Sequence, residues 1–384
     1  MGHPHGEMLT PAEIGDGSTI PPSGMRKLKR DGSESLAKRK YYVPATFAPP
    51  PKQLTAAQVF PVLREVFMDE SITKINQNIK FDVKSVAKYL GGIPKGVYVD
   101  TQLLQHILDE NRMSYALQSM LKDNFGGYDP YHKNGKVGKT INSEAFSVAC
   151  QYCHLDARWT WLLAKRLHKA IVKVPELVNV MHADQAVLPV LAQMEVNGIA
   201  VDQRAMKKLG KDLLLDLNDN RLEMVNAGAF LGFNPDSTLD KQRLLFGLKR
   251  DGGLALKTQK KTPGGQPSTD SDTLEKLLGE HPLIALIIKH QETKKLLTTY
   301  VDGLTPQLHQ GRLHPQFHLH RTATGRLSAS SPNLQNIPRD GKVRSLFVAE
   351  PGESLIVADY SQVELRVMCM FSQDPAMSEI FVKD

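Results

Sequence analysis

Asp359 is the residue of this sequence most clearly placed for metal chemistry. It follows a short apolar run, residues 355–358, which predicts a buried strand. Val363, Val367 and Met370 then recur at helical spacing, which predicts a helix directly after the carboxylate. A carboxylate at the end of a buried strand is costly unless it meets a cation or a hydrogen-bond donor. The pattern therefore indicates a metal ligand between a strand and a helix, and the alternative is an aspartate that only caps the helix.

Two blocks of sequence around Asp359 resemble the family A DNA polymerases, the DNA polymerase I group. Residues 354–366 read SLIVADYSQVELR, and residues 322–338 before them read TATGRLSASSPNLQNIP. The resemblance includes GGQPST at 264–269 and extends back to about Tyr41. The family has two further polymerase motifs, a helix with Arg, Lys and Tyr and a His-Asp-Glu turn, and neither occurs in the printed sequence. The resemblance implies part of a bacterial or phage polymerase.

The resemblance assigns roles to the residues around Asp359. Polymerases of this kind use two Mg²⁺ ions about 4 Å apart to activate the primer 3′-hydroxyl and to neutralise the leaving pyrophosphate. Asp359 would be one of the two bridging, catalytic carboxylates, and the backbone carbonyl of Tyr360 would add a metal ligand. Ser361 and Gln362 would line the nucleotide pocket. Glu364 would pack against the sugar and exclude a 2′-hydroxyl.

A primer–template contact region is implied between residues 324 and 339. Amide and guanidinium side chains can reach the minor-groove acceptors that every base pair presents, so they can test pairing without reading sequence. The strong candidates are Arg326, Asn333, Gln335 and Asn336, and the weaker ones are Thr324 and Arg339. Without the flanking match, the same segment would be interpreted as a Ser/Asn-rich surface loop.

Three lysines lie in a Gly-, Thr- and Pro-rich loop at residues 257–272, where the family places the tip of its thumb. Lys257, Lys260 and Lys261 would add affinity for duplex phosphates that depends on salt and not on sequence. The alternative is a flexible, solvated loop, and both descriptions can hold together.

Asp82, Tyr152 and Asp156 match the second and third motifs of the family's 3′-5′ exonuclease, where carboxylates and a tyrosine hold two metals and a water. The first motif, Asp-x-Glu on an opening strand, has no counterpart, so a remnant nuclease site is expected. Residues 150–154, CQYCH, also match a haem attachment pattern. Tyr152 already belongs to the nuclease motif and no export signal is seen, so no haem is expected.

The elements that position these residues follow from periodicity. Residues 54–67 and 83–90 predict helices, residues 75–79 predict a strand, and Asp272 with Glu275 predicts a capping box at the start of a helix. Residues 182–300 are nearly all helical in pattern, with a turn and strand at 194–202.

Four regions are expected from these patterns and the resemblance: a loosely packed leader at 1–40, a 3′-5′ exonuclease-like α/β domain (ribonuclease H-like) without its first strand at 41–175, an all-helical thumb at 176–315, and the first part of an α+β polymerase palm at 316–384.

The whole chain of 384 residues carries a net charge of +7 with a pI near 9.1, which suits a polyanionic partner. Three cysteines in a chain of this length do not indicate a disulfide framework. No apolar run is long enough to cross a membrane, so a cytoplasmic protein of a bacterium or phage-infected host is expected.

Three functions compete. The first is a subunit for DNA-directed DNA synthesis, inactive alone, that binds primer–template DNA and deoxynucleoside triphosphates and needs a complementing chain for the remaining motifs. The second is a catalytically silent DNA-binding remnant, and the third is a free-standing exonuclease. In either of the first two, the Asp359 strand and the apolar face with Val363, Val367 and Met370 are expected to lack their usual covering strands.

Overall fold

The structure is a computed structural model that describes residues 27–28, 34–35, 54–126, 146–339 and 341–383. Its contacts divide the chain into two compact units. The first contains Met1–Asn197 and Gln316–Ala329, and the second contains Gly198–Pro315 and Ser330–Asp384. Most of the expected leader, residues 1–40, lies outside the described residues. The domain boundaries expected at 175 and 315 stay predictions.

The elements are numbered here along the described residues. The helices are α1 (Ala56–Phe67), α2 (Ile79–Leu90), α3 (Thr101–Leu108), α4 (Leu117–Phe125), α5 (Phe146–Ile171), α6 (Pro175–Asn197), α7 (Gln203–Asn226), α8 (Thr238–Phe246), α9 (Ser271–Lys276), α10 (Pro282–Lys295), α11 (Val363–Ser372) and α12 (Pro375–Lys383). The strands are β1 (Lys27–Leu28), β2 (Glu34–Ser35), β3 (Lys74–Asn76), β4 (Tyr98–Asp100), β5 (Ile199–Val201), β6 (Arg312–Leu313), β7 (Gln316–His318), β8 (Ser328–Ser330) and β9 (Phe347–Val348). None of these helices is long and apolar enough to cross a membrane.

In the first unit, β3 and β4 pair in parallel, with Lys74 opposite Tyr98 and Asn76 opposite Asp100. The helix predicted at 54–67 is confirmed as α1. The strand predicted at 75–79 is too long, since β3 ends at Asn76 and Asn78 takes a left-handed conformation with φ +54° as the N-cap of α2. For the same reason α2 begins at Ile79, four residues before its predicted start.

Apolar side chains of helices α2 to α6, of β4 and of the segment after β7 form the two cores of the first unit. One core surrounds α5 and includes Leu163, Leu167 and Met120, all at most 1% exposed. The other joins α2 and β4 to α6 through Ile79, Tyr98 and other residues of that cluster. Leu319, which follows β7, completes this second core, so the segment 316–329 is part of the first unit.

The second unit combines long helices with a small antiparallel sheet. Strand β5 lies at its centre, between β6 and β9. The strand predicted within 194–202 is confirmed, although α6 continues to Asn197 before it, and Gly198 makes the turn with φ +62°. Helices α7 and α10 pack against each other and bury the largely helical core of this unit.

Two predictions about the second unit are wrong. Asp272 and Glu275 do not start α9, because Asp270 is the N-cap and its side chain accepts the N–H of Thr273 at 3.0 Å. The run at 355–358 is neither a strand nor buried: Ile356 and Val357 are 91% and 92% exposed. A strand needs a hydrogen-bonded neighbour, and none of the described strands lies beside this run.

Candidate nucleic-acid and metal sites

Asp359 lies in an exposed segment immediately before α11. Tyr360, Ser361, Gln362 and Glu364 are exposed as well. Gln362 is the N-cap of α11 and has a left-handed conformation, with φ +49°. The predicted placement of Asp359 at the mouth of a buried strand is therefore wrong, while the helix predicted after it is confirmed. Asp359 remains accessible to a cation from solvent.

Arg366 fixes the start of α11. Its Nε donates to the carbonyl oxygen of Ser361 at 3.0 Å, and its guanidinium carbon lies 4.9 Å from the centre of the Phe381 ring. These contacts hold the chain between Ser361 and α11 in place from the helix side. Arg366 thus orders the segment that follows Asp359.

The apolar face predicted on α11 is confirmed as exposed. Val363, Val367 and Met370 are 46%, 43% and 59% exposed, and Phe371 is 79% exposed. The apolar run at 355–358 is exposed as well, and we refer to these accessible side chains together as the 355–371 surface. Exposed apolar surface of this kind is typical of a site that another protein segment covers.

The candidate primer–template residues fall into two groups. Thr324 and Arg326 are exposed and lie in the first unit, in a loop that Thr322 closes by donating its hydroxyl to the Arg326 carbonyl at 2.5 Å. The second group, in the second unit, consists of Asn333, Gln335, Asn336 and Arg339, all exposed. Each group therefore presents its side chains to solvent.

A single short turn carries Asn333, Gln335 and Asn336. The Asn333 side-chain oxygen accepts the N–H of Gln335 at 3.0 Å and caps the 3₁₀ turn Leu334–Asn336. The hydroxyl of buried Tyr300 donates to the Asn336 carbonyl at 2.5 Å. The backbone of the turn is thus anchored to the core. The Asn333 side-chain oxygen is occupied by this hydrogen bond, so the amide NH₂ group is the part of Asn333 that would donate to a ligand.

The lysine loop is ordered as a hairpin. Lys261 and Pro267 form an antiparallel bridge, and Gly265, with φ +80°, occupies the turn. Lys260 Nζ lies 2.7 Å from a carboxylate oxygen of Asp270. That contact holds the pKa of Asp270 well below its usual value, and hydrogen bonds from Thr273 add to the effect. Among the described residues, Lys257 forms no ion pair, and neither does Lys261.

The matched nuclease residues lie on two helices. Asp82 is exposed in the first turn of α2, and Tyr152 and Asp156 are one turn apart on α5. Burial raises the pKa of Tyr152 to about 12, helped by the charge of Asp156 and by a hydrogen bond to it. In the described part of the chain, no three His, Cys, Asp or Glu side chains come together as metal ligands. The structure therefore places Tyr152 beside Asp156 without bringing together a set of metal ligands from the residues that it describes.

Asp100 is a buried carboxylate that the sequence analysis did not single out. It accepts the backbone N–H groups of Asn78, Ile79 and Gln102 at 2.9–3.0 Å. Burial raises its pKa to about 6, against the opposing effect of these hydrogen bonds. It joins the end of β4 to the starts of α2 and α3. Its position in the sequence, directly after a β-branched strand residue and before a helix, could have predicted this capping role.

Glu195 on α6 is the second buried acid that was missed. Its carboxylate accepts hydrogen bonds from Lys80 and Lys84 on α2 and from the Phe317 N–H, the last at 2.8 Å. Burial opposes its charge, but these hydrogen bonds outweigh burial and hold the pKa of Glu195 below its usual value. No local pattern marks it, since its partners are distant in sequence.

Family models match both parts of the chain. The model described as DNA polymerase family A matches residues 203–384, and the model described as 3′-5′ exonuclease matches residues 37–172. The architecture predicted from the sequence, an exonuclease-like domain followed by polymerase elements, is thus confirmed.

Curated relatives named DNA polymerase I match between 59% and 86% of this chain. The relative from Synechocystis sp. is 35% identical over 341 residues, which are 86% of this chain and 34% of the relative. The one from Rhizobium leguminosarum is 34% identical over 86% of this chain and 33% of its own length. A thermostable one from Thermus thermophilus is 38% identical over 59% of this chain and 28% of its own length. The chain spans about a third of the length of these relatives.

A solved structure has a similar fold. It is described as the POL domain of Pol1 from M. smegmatis in complex with DNA primer-template and dNTP. It superposes with a TM-score of 0.67 at 27% identity and covers 82% of this chain and 52% of the other.

Proposed function

Because this chain belongs to the family A DNA polymerases, we propose that it takes part in DNA-templated DNA synthesis by contacting primer–template DNA and by providing one metal-binding carboxylate. The observation that carries this proposal is the exposure of the candidate contact residues on an anchored backbone. In the second unit, the side chains of Asn333, Gln335, Asn336 and Asp359 are exposed, while Tyr300 holds the backbone at Asn336 and Arg366 holds it at Ser361. Such anchoring prepares a surface for a ligand without the cost of ordering it on binding.

Mg²⁺ is the proposed cofactor, with Asp359 and the Tyr360 carbonyl as ligands. Oxygen donors are what this cation prefers, and Asp359 is exposed and forms no ion pair within the described residues. The residues therefore fit the ion as a partial ligand set. When bound, Mg²⁺ neutralises charge on the triphosphate. Asp359 holds the cation at this position, and Gln362 and Glu364 border the place where we propose that the nucleotide enters.

Further ligands are proposed to come from a complementing polypeptide that carries the two family motifs not found in the printed sequence. The 355–371 surface is its proposed contact, since its apolar side chains are accessible. The competing function is a DNA-binding protein without catalysis. That function is favoured by the same basic hairpin and primer–template residues and needs neither Asp359 nor a partner.

Two measurements test the proposal. Fluorescence anisotropy with a labelled, 3′-recessed primer–template should show binding that Arg326→Ala weakens by about tenfold, the loss expected for a forked contact to base edges. Primer extension should appear when a polypeptide that carries the two family motifs not found in the printed sequence is combined with this chain, and Asp359→Ala should abolish it. Extension that survives Asp359→Ala would refute the metal role, and unchanged binding by Arg326→Ala would refute the primer–template role.

A further inference from the structure

The loop that carries Thr324 and Arg326 is fastened to the exonuclease-like part of the first unit by side chains outside the polymerase block. The segment 316–329 belongs to this unit. It is held at Phe317, at Leu319 and at Thr322. Each point of attachment comes from a helix of the 3′-5′ exonuclease region or from α6.

The attachment at Phe317 uses both of its backbone groups. Glu195 accepts the Phe317 N–H at 2.8 Å, and Lys80 Nζ donates to the Phe317 carbonyl oxygen. Lys80 and Glu195 also bond to each other, and the Glu195 side chain is 2% exposed. A hydrogen-bonded ion pair removed from water is more rigid and more costly to disrupt than one on the surface. The orientations of the two peptide units on either side of Phe317 are therefore fixed by α2 and α6.

Two further attachments lie closer to Arg326. Leu319 is 9% exposed and packs in the core with Ile79 of α2. His106 of α3 is 7% exposed, and its Nε2 donates to the Thr322 carbonyl at 3.1 Å. Thr322 in turn donates its hydroxyl to the Arg326 carbonyl. A continuous series of contacts thus leads from the exonuclease-like helices to the backbone of Arg326.

We infer that the exonuclease-like part of this chain, whatever its nuclease activity, serves polymerisation by holding the Arg326 loop in its DNA-binding position, with Lys80 of α2 and Glu195 of the adjoining helix α6 as positioning residues. This inference rests on the proposed primer–template role of Arg326. Lys80 lies two residues before Asp82 on α2, so the helix that carries a matched nuclease residue also carries this attachment. The retained helices therefore have a function that requires no nuclease metal site.

The experiment is a double-mutant cycle on the full chain. Affinity for a fluorescein-labelled, 3′-recessed primer–template is measured for wild type, Lys80→Met, Arg326→Ala and the double variant. We expect Lys80→Met to weaken binding about fivefold. In the Arg326→Ala background the same substitution should have almost no effect, because it acts through Arg326. Effects that multiply independently would overturn the inference.

Two variants separate positioning from general loss of stability. Lys84→Met removes an ion pair to Glu195 but leaves the Phe317 carbonyl contact of Lys80 in place, so it should bind primer–template nearly as wild type does. Lys80→Arg retains a cationic donor and should restore most of the affinity lost in Lys80→Met. If Lys80→Met fails to fold, Lys80→Gln takes its place in the cycle, since its side chain is neutral and one bond shorter than lysine and so loses the contact with the Phe317 carbonyl. Equal losses in Lys84→Met and Lys80→Met would overturn the inference.

The primer–template role itself is tested by the same data. If Arg326→Ala alone leaves affinity unchanged, or if the wild-type chain does not bind, the proposed function of this loop fails and the inference fails with it. If Arg326→Ala weakens binding while neither Lys80→Met nor Lys80→Gln does, the proposed function stands and only the positioning inference is refuted.

Discussion

Lys260 and Asp270 form an ion pair at 2.7 Å that closes the lysine hairpin onto the start of α9. Asp270 is also the N-cap of that helix, so one carboxylate serves both contacts. Both side chains are exposed, and the pair alone adds little stability. The pair instead neutralises the charge of Lys260, because this lysine already faces the Asp270 carboxylate. The described residues provide no such partner for Lys257 or Lys261.

This difference predicts unequal roles for the three lysines in DNA binding. Lys257→Ala with Lys261→Ala should reduce the slope of log affinity against log salt by about two, roughly one for each lost phosphate contact. Lys260→Ala should reduce it by clearly less than one. Binding titrations between 50 and 200 mM salt measure the slopes. The charge-matched control, Lys169→Ala with Lys173→Ala on the first unit, should leave the slope as in wild type, and an equal change there would refute the hairpin assignment.

Amide hydrogens of the segment before Asp359 should exchange much faster than those of the helical core. The amides of residues 355–359 make no backbone hydrogen bond within the described chain, so they should exchange within seconds. The amides of Ile284 and Ile287 on α10, both at 0% exposure, should be protected far longer. Mass spectrometry on the isolated chain measures both. Protection at 355–359 equal to that of α10 would contradict the described structure.

Nuclease activity on single-stranded DNA should be absent or very weak. In the described part of the chain, Asp82, Tyr152 and Asp156 are not accompanied by a cluster of ligands that could hold a cation to stabilise the transition state. Degradation of a 5′-labelled oligonucleotide with Mg²⁺ or Mn²⁺ is the assay. Activity that disappears in Asp82→Ala would show that another ligand completes the site.

Acid should destabilise the first unit through His318 and His320. Burial lowers the pKa of each histidine to about 4, and the positive charges of Arg321 and Lys80 contribute to this lowering in both. His318 and His106 also lower the pKa of His320. The Glu195 carboxylate acts in the opposite direction on His318. In the unfolded chain both titrate near 6.5, so between pH 6.5 and 4 the unfolded state binds protons that the folded state does not. The melting temperature should therefore fall across this range.

Replacing both histidines by glutamine should make that fall shallower. Thermal unfolding of the variant and of wild type at several pH values between 7.5 and 4.5 measures the difference, because titration of the other groups is common to the two proteins. Parallel curves for the two proteins would show that these histidines do not carry the effect.

Asp100→Ala should be among the most destabilising single substitutions in the first unit. It leaves three backbone N–H groups without their acceptor, and we expect a loss of about 2–4 kcal/mol in the free energy of unfolding. Asp202→Ala removes an exposed N-cap from α7 and should cost only about 1 kcal/mol. Chemical denaturation measures the free energy of unfolding of both variants. Equal losses would mean that the buried position of Asp100 does not increase its contribution to stability.

The sequence by itself determined the parts of this protein that depend on neighbouring residues. The blocks at 322–338 and 354–366 identified the family because their residue types and order are contiguous. Periodicity predicted α1 and the helix after Asp359, since a helix is stabilised by contacts three and four residues apart. The predicted capping box was wrong because Asp270, Asp272 and Glu275 lie close together, and the local pattern does not show which of these acidic residues caps the helix.

Only the tertiary structure decided what depends on distant partners. Lys80 meets Glu195 across 115 residues and Phe317 across 237, and no local pattern records such pairs. The run at 355–358 has the composition of a buried strand, yet it is exposed, because a strand forms only where another strand accepts and donates its hydrogen bonds. Side-chain type sets what a residue can do, and the fold decides which partner it meets.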